Sequence, residues 1–205
     1  WTKTTGTVLQ GEEYFPRPRI AGGMPAQMFS SSPTGGSESM HLMYLLSIAS
    51  AEHSIDLAAS YFVPDALARK ALKQAMQRGV RVRILMPNEY IDAGVVRYAS
   101  RAQWGGLLEA GAEIFEYQPT MYHPKLLVID EHWTTIGSAN FDERSFRLND
   151  ESNLNVHDRA FALEQIAIFE EDKALSKEIT LEAWEGRSAW ERFVDWGASL
   201  LRAQL

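Results

Sequence analysis

Apolar segments that switch between helical and strand period, punctuated by Pro64, Gly79 and Gly111, run through the first half of the chain and restrict it to a sheet with helices packed on its faces. Met40, Met43, Leu46 and Ala49 recur at helical spacing, whereas Ile55, Leu57 and Ala59 alternate as a strand. Pro64 ends that strand, and Asp65 is placed to N-cap a helix that stops at Gly79. A strand at 80–86 and a helix over roughly 92–110, closed by Gly111, follow. This β-α-β-α-β order predicts an α/β fold whose mixed, largely parallel β-sheet is flanked by helices on both faces.

Further strands are expected at 114–117, 125–129, 134–136 and 153–156, then a long helix over about 159–179 and an aromatic-rich terminal helix. Residues 1–36, with Pro16, Pro18, Gly22, Gly23 and Pro25, read as an inter-domain linker around one short strand at 26–30. The organisation is thus linker 1–36, one domain at 37–180, and a terminal helix at 181–205 packed on the domain. A chain of 205 residues with 45% apolar content supports one sizeable core. The terminal segment carries Trp184, Trp190, Phe193, Val194, Trp196, Leu200, Leu201 and Leu205 largely as a helical stripe. A packing surface is the first reading of that stripe, and an interfacial membrane helix the competing one, weakened by Glu182, Glu185, Glu191 and Asp195.

With no cysteine, neither thiolate chemistry nor disulfides are available, and five histidines carry the remaining nucleophilic potential. One of them stands in the most informative passage, Tyr122-His123-Pro124-Lys125-Leu126-Leu127-Val128-Ile129-Asp130, followed by Gly137-Ser138-Ala139-Asn140-Phe141. In extended chain His123 and Lys125 share a face with Cα atoms about 6.5 to 7 Å apart, so both can reach one phosphate. The imidazole can act as nucleophile or proton donor, and the ammonium can offset charge developing on phosphoryl oxygens. Asp130 lies at odd spacing from Lys125, on the other face, and takes a structural or orienting role. A tight turn at Gly137 can bring the Ser138 hydroxyl and the Asn140 amide to the same phosphate, and Glu151 can hold the second nitrogen of the imidazole. Tyr61 and Phe62, at a strand end where α/β sheets place binding loops, are candidates for substrate contact and for core.

The spacing His-x-Lys-x4-Asp, followed by Gly-Ser-x-Asn-Phe, closely resembles the signature of the phospholipase D superfamily. The stretches 60–65 (SYFVPD), 78–83 (RGVRVR), 107–111 (LLEAG) and 144–149 (RSFRLN) resemble the second half of bacterial cardiolipin synthases. Pro124 departs from the small residue usual between the His and Lys. The resemblance implies a phospholipase D-like half domain with a single motif, because the family builds one active site from two motifs through a phosphohistidine intermediate. His41, His53, His132 and His157 lack a Lys two residues on, so the first-motif half is expected from upstream sequence or from a second chain. The absence of an initiator Met, and the likeness of 1–6 and 13–15 to the segment that follows the first motif, favour upstream sequence.

The same resemblance implies that His123 protonates the leaving alkoxide, that Lys125, Ser138 and Asn140 bind phosphoryl oxygens, and that no metal or organic cofactor takes part. The expected activity is transfer of a phosphatidyl group to phosphatidylglycerol, with water as acceptor giving phospholipase D activity instead. Expected partners are a phospholipid substrate and peripheral membrane contact, at the cytoplasmic face of a bacterial inner membrane. No run of about 18 apolar residues occurs, so this stretch itself is expected to be soluble. A homodimeric nuclease and a non-catalytic scaffold are the rival readings. A formal net charge of −7 argues against nucleic acid as partner, and the intact His123, Lys125, Asn140 and Glu151 argue against a scaffold.

Overall fold

The computed structural model describes residues 1–19, 21–33 and 39–201, and in it the most apolar strands occupy the middle of one eight-stranded sheet. A one-turn helix α1 (Thr2–Thr5) is followed by β1 (Ala26–Ser31), α2 (Ser39–Ser50), β2 (Ser54–Ala59), β3 (Phe62–Val63), α3 (Ala66–Gln77) and β4 (Arg81–Pro87). Next come α4 (Gly94–Arg101), α5 (Gly105–Leu108), β5 (Glu113–Tyr117), β6 (Lys125–Ile129), β7 (Trp133–Gly137), β8 (Phe141–Asp142) and α6 (Glu143–Arg147). The chain continues through β9 (Glu151–His157), α7 (Arg159–Ala174), β10 (Ser176–Ile179), α8 (Leu181–Glu185) and α9 (Ala189–Ser199). The expected turn-rich stretch at 34–36 and Leu205 of the terminal stripe lie outside the described residues.

Strands run in the order β1-β9-β7-β6-β2-β4-β5-β10. The α/β class and the mixed sheet match the sequence reading, but the parallel share is smaller: within this eight-stranded sheet only β2-β4 and β4-β5 pair parallel, and β3 pairs parallel with β8 in a separate two-stranded sheet. The other five pairings are antiparallel. The reason lies in the connections. Parallel neighbours need a crossover long enough to carry a helix, which α3 supplies between β2 and β4 and α4 with α5 between β4 and β5. By contrast β6 and β7 are joined by a three-residue hairpin turn, 130–132, in which Asp130 and Glu131 take positive φ of 53° and 56°.

Helices cover both faces of the sheet. On one, Met40 and Ile48 of α2 and Leu72 of α3 meet Ile55, Leu57 and Ile84, with Trp104 and Leu107 completing the layer. On the other, Ala162 and Phe169 of α7 pack on Ala58, Leu85, Phe115, Leu126 and Val128. That second face also buries a charge: Arg83 pairs with its β2 neighbour Asp56, reaches Glu170 of α7, and lies 4.9 Å from the Phe169 ring centroid. An arginine this buried is retained because both its partners hydrogen-bond it.

Three expected elements differ. The helix anticipated over 92–110 is two, α4 and α5, with Gly105 packed so closely on the Trp184 ring that a Cβ would not fit. The helix anticipated to run to 179 ends at Ala174, because residues 176–179 pair with β5 as the edge strand β10. The terminal segment is likewise two helices, and α9 opens with a capping box from Ser188 and Glu191. The strand in the N-terminal stretch does form, and it pairs with β9 along the opposite sheet edge. Among the described residues no helix is long and apolar enough to cross a membrane.

Candidate active site

Covered on both faces, β6 buries Leu126 and Val128 against α7 and Leu127 and Ile129 in the other layer, and leaves its first residue, Lys125, half-buried at the strand's open end. His123, two residues earlier and exposed, turns its Nδ1 to within 2.9 Å of Lys125 Nζ, with Nε2 at 3.3 Å. The expected shared face is therefore observed. Lys125 Nζ also donates to Ser60 Oγ at 2.8 Å, and Ser60 in turn donates to Asn140 Oδ1 at 2.7 Å. A cation, a hydroxyl and a carboxamide thus form one chain beside the imidazole. Burial pulls the Lys125 ammonium below its ordinary value, and the charges of Glu151, Asp92 and Asp142 pull back against it.

The turn after β7 supplies the second cluster. Gly137 approaches the β9 backbone at Ser152 and Asn153 so closely that no Cβ fits. Ser138 donates its hydroxyl to the Glu151 carboxylate and accepts from the Ser152 amide at 2.9 Å. Glu151 also accepts from Asn149 Nδ2 at 3.2 Å. The acid expected on His123 is thus spent on Ser138 and Asn149, and the hydroxyl expected to face a phosphate is directed to the acid. The β9 pairing explains both: Gly137 faces Asn153, which carries the turn past the first residues of β9, where Glu151 stands.

Asp130 follows Ile129 at the other end of β6, five residues and about 16 Å from Lys125 at strand rise. Its carboxylate accepts from the amides of Glu52, His53 and Ser54 at 2.8, 2.7 and 2.8 Å. Burial works against the charge, yet these donors hold the carboxyl below the usual range. The side chain anchors the start of β2, a structural position. Tyr61 donates to Asp92 Oδ1 at 2.8 Å and sets its ring edge-on to His123, centroids 6.2 Å apart; burial, reinforced by Asp92, pushes its hydroxyl up to about 12. Phe62 does not reach this surface. It is buried and stacked on Phe141, so of its two anticipated uses the structure supports packing.

Several supporting residues escaped the sequence reading. Ser60 bridges Lys125 and Asn140 only because β2 pairs with β6, Ala59 opposite Lys125, and no local pattern announces that pairing. Buried Asn153 donates to Tyr44 and Thr135 and accepts from the Ala139 amide, fixing the 138–140 turn from beneath. Asp142 caps α6 through the Ser145 amide. Among the described residues no group of three His, Asp or Glu side chains is arranged to hold a metal ion. Chemically, the arrangement offers one imidazole for proton transfer or attack, with a cation and a polar chain beside it for an anionic centre.

The family model described as cardiolipin synthase, PLD-like domain, matches residues 44–173. The minor cardiolipin synthase ClsB of Bacillus subtilis is 38% identical over 158 residues, 77% of this chain and 39% of that protein. Among solved structures, a phosphatidylserine synthase of Haemophilus influenzae gives a TM-score of 0.74 at 14% identity, covering 89% of this chain and 48% of that one. Nuc, a phospholipase D family member of Salmonella typhimurium, gives 0.65 at 22% identity, covering 77% and 99%. These two establish the fold. The chain spans about two-fifths of the length of the curated relatives it matches.

Proposed function

This chain belongs to the cardiolipin synthase, PLD-like domain family, and from that premise we propose that it is the second-motif half of a phosphatidyltransferase that makes cardiolipin from phosphatidylglycerol. The observation that carries the reading is the contact of Lys125 with both His123 and the Ser60–Asn140 pair, which gathers an imidazole and phosphate-binding groups at one strand end. A single imidazole serves one side of a displacement at phosphorus. The other must come from a first-motif half, supplied by the same longer chain or by a second chain.

In the proposed cycle the other half's histidine attacks phosphorus and forms a P–N bond as the P–O bond to the headgroup glycerol breaks. His123, as the acid of this step, gives a proton to that oxygen and glycerol leaves. The terminal hydroxyl of phosphatidylglycerol then attacks phosphorus, its proton passing to His123, and the P–N bond breaks to free the other histidine. Lys125 and Asn140 offset charge on the non-bridging oxygens in both steps. Glu151, engaged with Ser138 and not with His123, is assigned to orient the imidazole that the other half brings. The site works on phospholipid at a bacterial membrane, with peripheral contact to its cytoplasmic face.

Lipid mass spectrometry of cells lacking cardiolipin that express the protein carrying this chain tests the reading. Cardiolipin is expected to appear, and to disappear with His123→Ala. If no cardiolipin and no other product of phosphatidyl transfer or hydrolysis forms, the proposal is wrong.

A further inference from the structure

The terminal helix is packed inside out. Asp195 of α9 is 2% exposed and is gripped by Arg101 of α4 and by Arg187, and Glu191 on the same side faces Arg101. The opposite side presents Trp190 (71% exposed), Phe193 (59%), Trp196 (57%) and Leu200 (66%) to the outside, with the three rings in a row at centroid spacings of 5.9 and 6.0 Å. An amphipathic helix ordinarily buries its apolar stripe and exposes its charges. Here the inward acid Asp195 is satisfied by two arginines and the aromatic stripe is left over.

We propose that this stripe is a bilayer-docking surface that lays α9 in the headgroup layer of a phospholipid membrane, an inference that rests on the proposed lipid substrate. Tryptophan and phenylalanine suit that layer, where an apolar body and a wet edge are both satisfied. The charge pattern agrees: positions 190, 193, 196, 197, 200 and 201 hold no acid, Asp195 is buried between two arginines, the part-exposed Glu191 is paired with Arg101, and exposed Arg192 complements an anionic lipid surface. Position agrees as well. Ala198 of α9 packs with Val63, Val96 and Ala99, the cluster that also holds Tyr61, whose ring meets His123. The docked helix and the reacting imidazole are therefore joined through one small packed unit, which sets the site's height above the membrane.

The test is flotation of the protein with vesicles of phosphatidylethanolamine and phosphatidylglycerol, beside a variant carrying Trp190→Ser, Phe193→Ser and Trp196→Ser. The variant is expected to lose about tenfold or more in vesicle partitioning, with an unchanged melting temperature, while Met28→Ser, at an exposed methionine on β1, partitions as the parent does. Because apolar contact dominates, raising salt should cost the parent little. Flotation of the triple variant equal to the parent's overturns the inference. So does a variant that floats normally but loses self-association or assembly with a first-motif half, since the stripe would then be a protein interface. Cardiolipin formation from detergent-dispersed phosphatidylglycerol separates the two readings: product without flotation of the parent sinks the docking surface alone, and stripe-dependent flotation without any lipid product sinks the proposed function alone.

Discussion

His123 touches Lys125 and Tyr61 but supports no packing, so its replacement should act on chemistry and not on folding. His123→Ala is expected to lower product formation by about 100-fold or more with an unchanged melting temperature, measured by lipid turnover and calorimetry on the same preparation. Ser60→Ala removes the link between Lys125 and Asn140, and a loss of about tenfold in turnover is expected, the worth of one charge-assisted hydrogen bond. Asp130 behaves in the opposite way. Asp130→Ala orphans three backbone amides at the start of β2 and should cost about 2–4 kcal/mol in chemical denaturation. At this scale the motif was legible, because period-two spacing alone puts His123 and Lys125 on one face. Ser60 and the true partner of Glu151 were not, since both depend on which distant strands pair.

Two elements carry charges whose state depends on fold. Asp142, the N-cap of α6, is buried, which pushes its carboxyl up to about 6, with the nearby Glu151 charge adding to the rise. Folding thus favours the protonated acid, and its contribution to stability is present at low pH and is lost as pH rises from 3.8 to about 6. Asp142→Asn keeps the capping acceptor and removes the titration, so thermal melts across that window should show the variant gaining on the parent as pH increases. Across the sheet, Asp56→Ala removes the buried partner of Arg83 and leaves it only the half-exposed Glu170, and is expected to destabilise by about 3 kcal/mol in denaturant titration, whereas surface pairs such as Arg159–Glu131 should matter little. Elements with strong local period, β2, α3 and β4, could be read from sequence. The split of α4 from α5 turns on Trp184 seated against Gly105, and β10 on the free edge of β5, neither of which leaves a local trace.

For the whole molecule, the proposed reaction needs two imidazoles from two halves, and such a site tolerates little slack between its strands. The spacing of the motif supplies the fit. Ser54 faces Asp130 and Ala59 faces Lys125 along one antiparallel ladder, so the four residues between Lys125 and Asp130 match, rung for rung, the four between Ala59 and Ser54. Asp130 is pinned at the far end by three amides, and Lys125 meets Ser60 at the near end. The two strands therefore act as a vernier: the pin fixes zero, and the lysine reads out at a height set by the number of rungs. One extra residue in β6 alone would invert the lysine to the α7 side, while two extra residues in both strands would restore its facing and lift the site by about 7 Å.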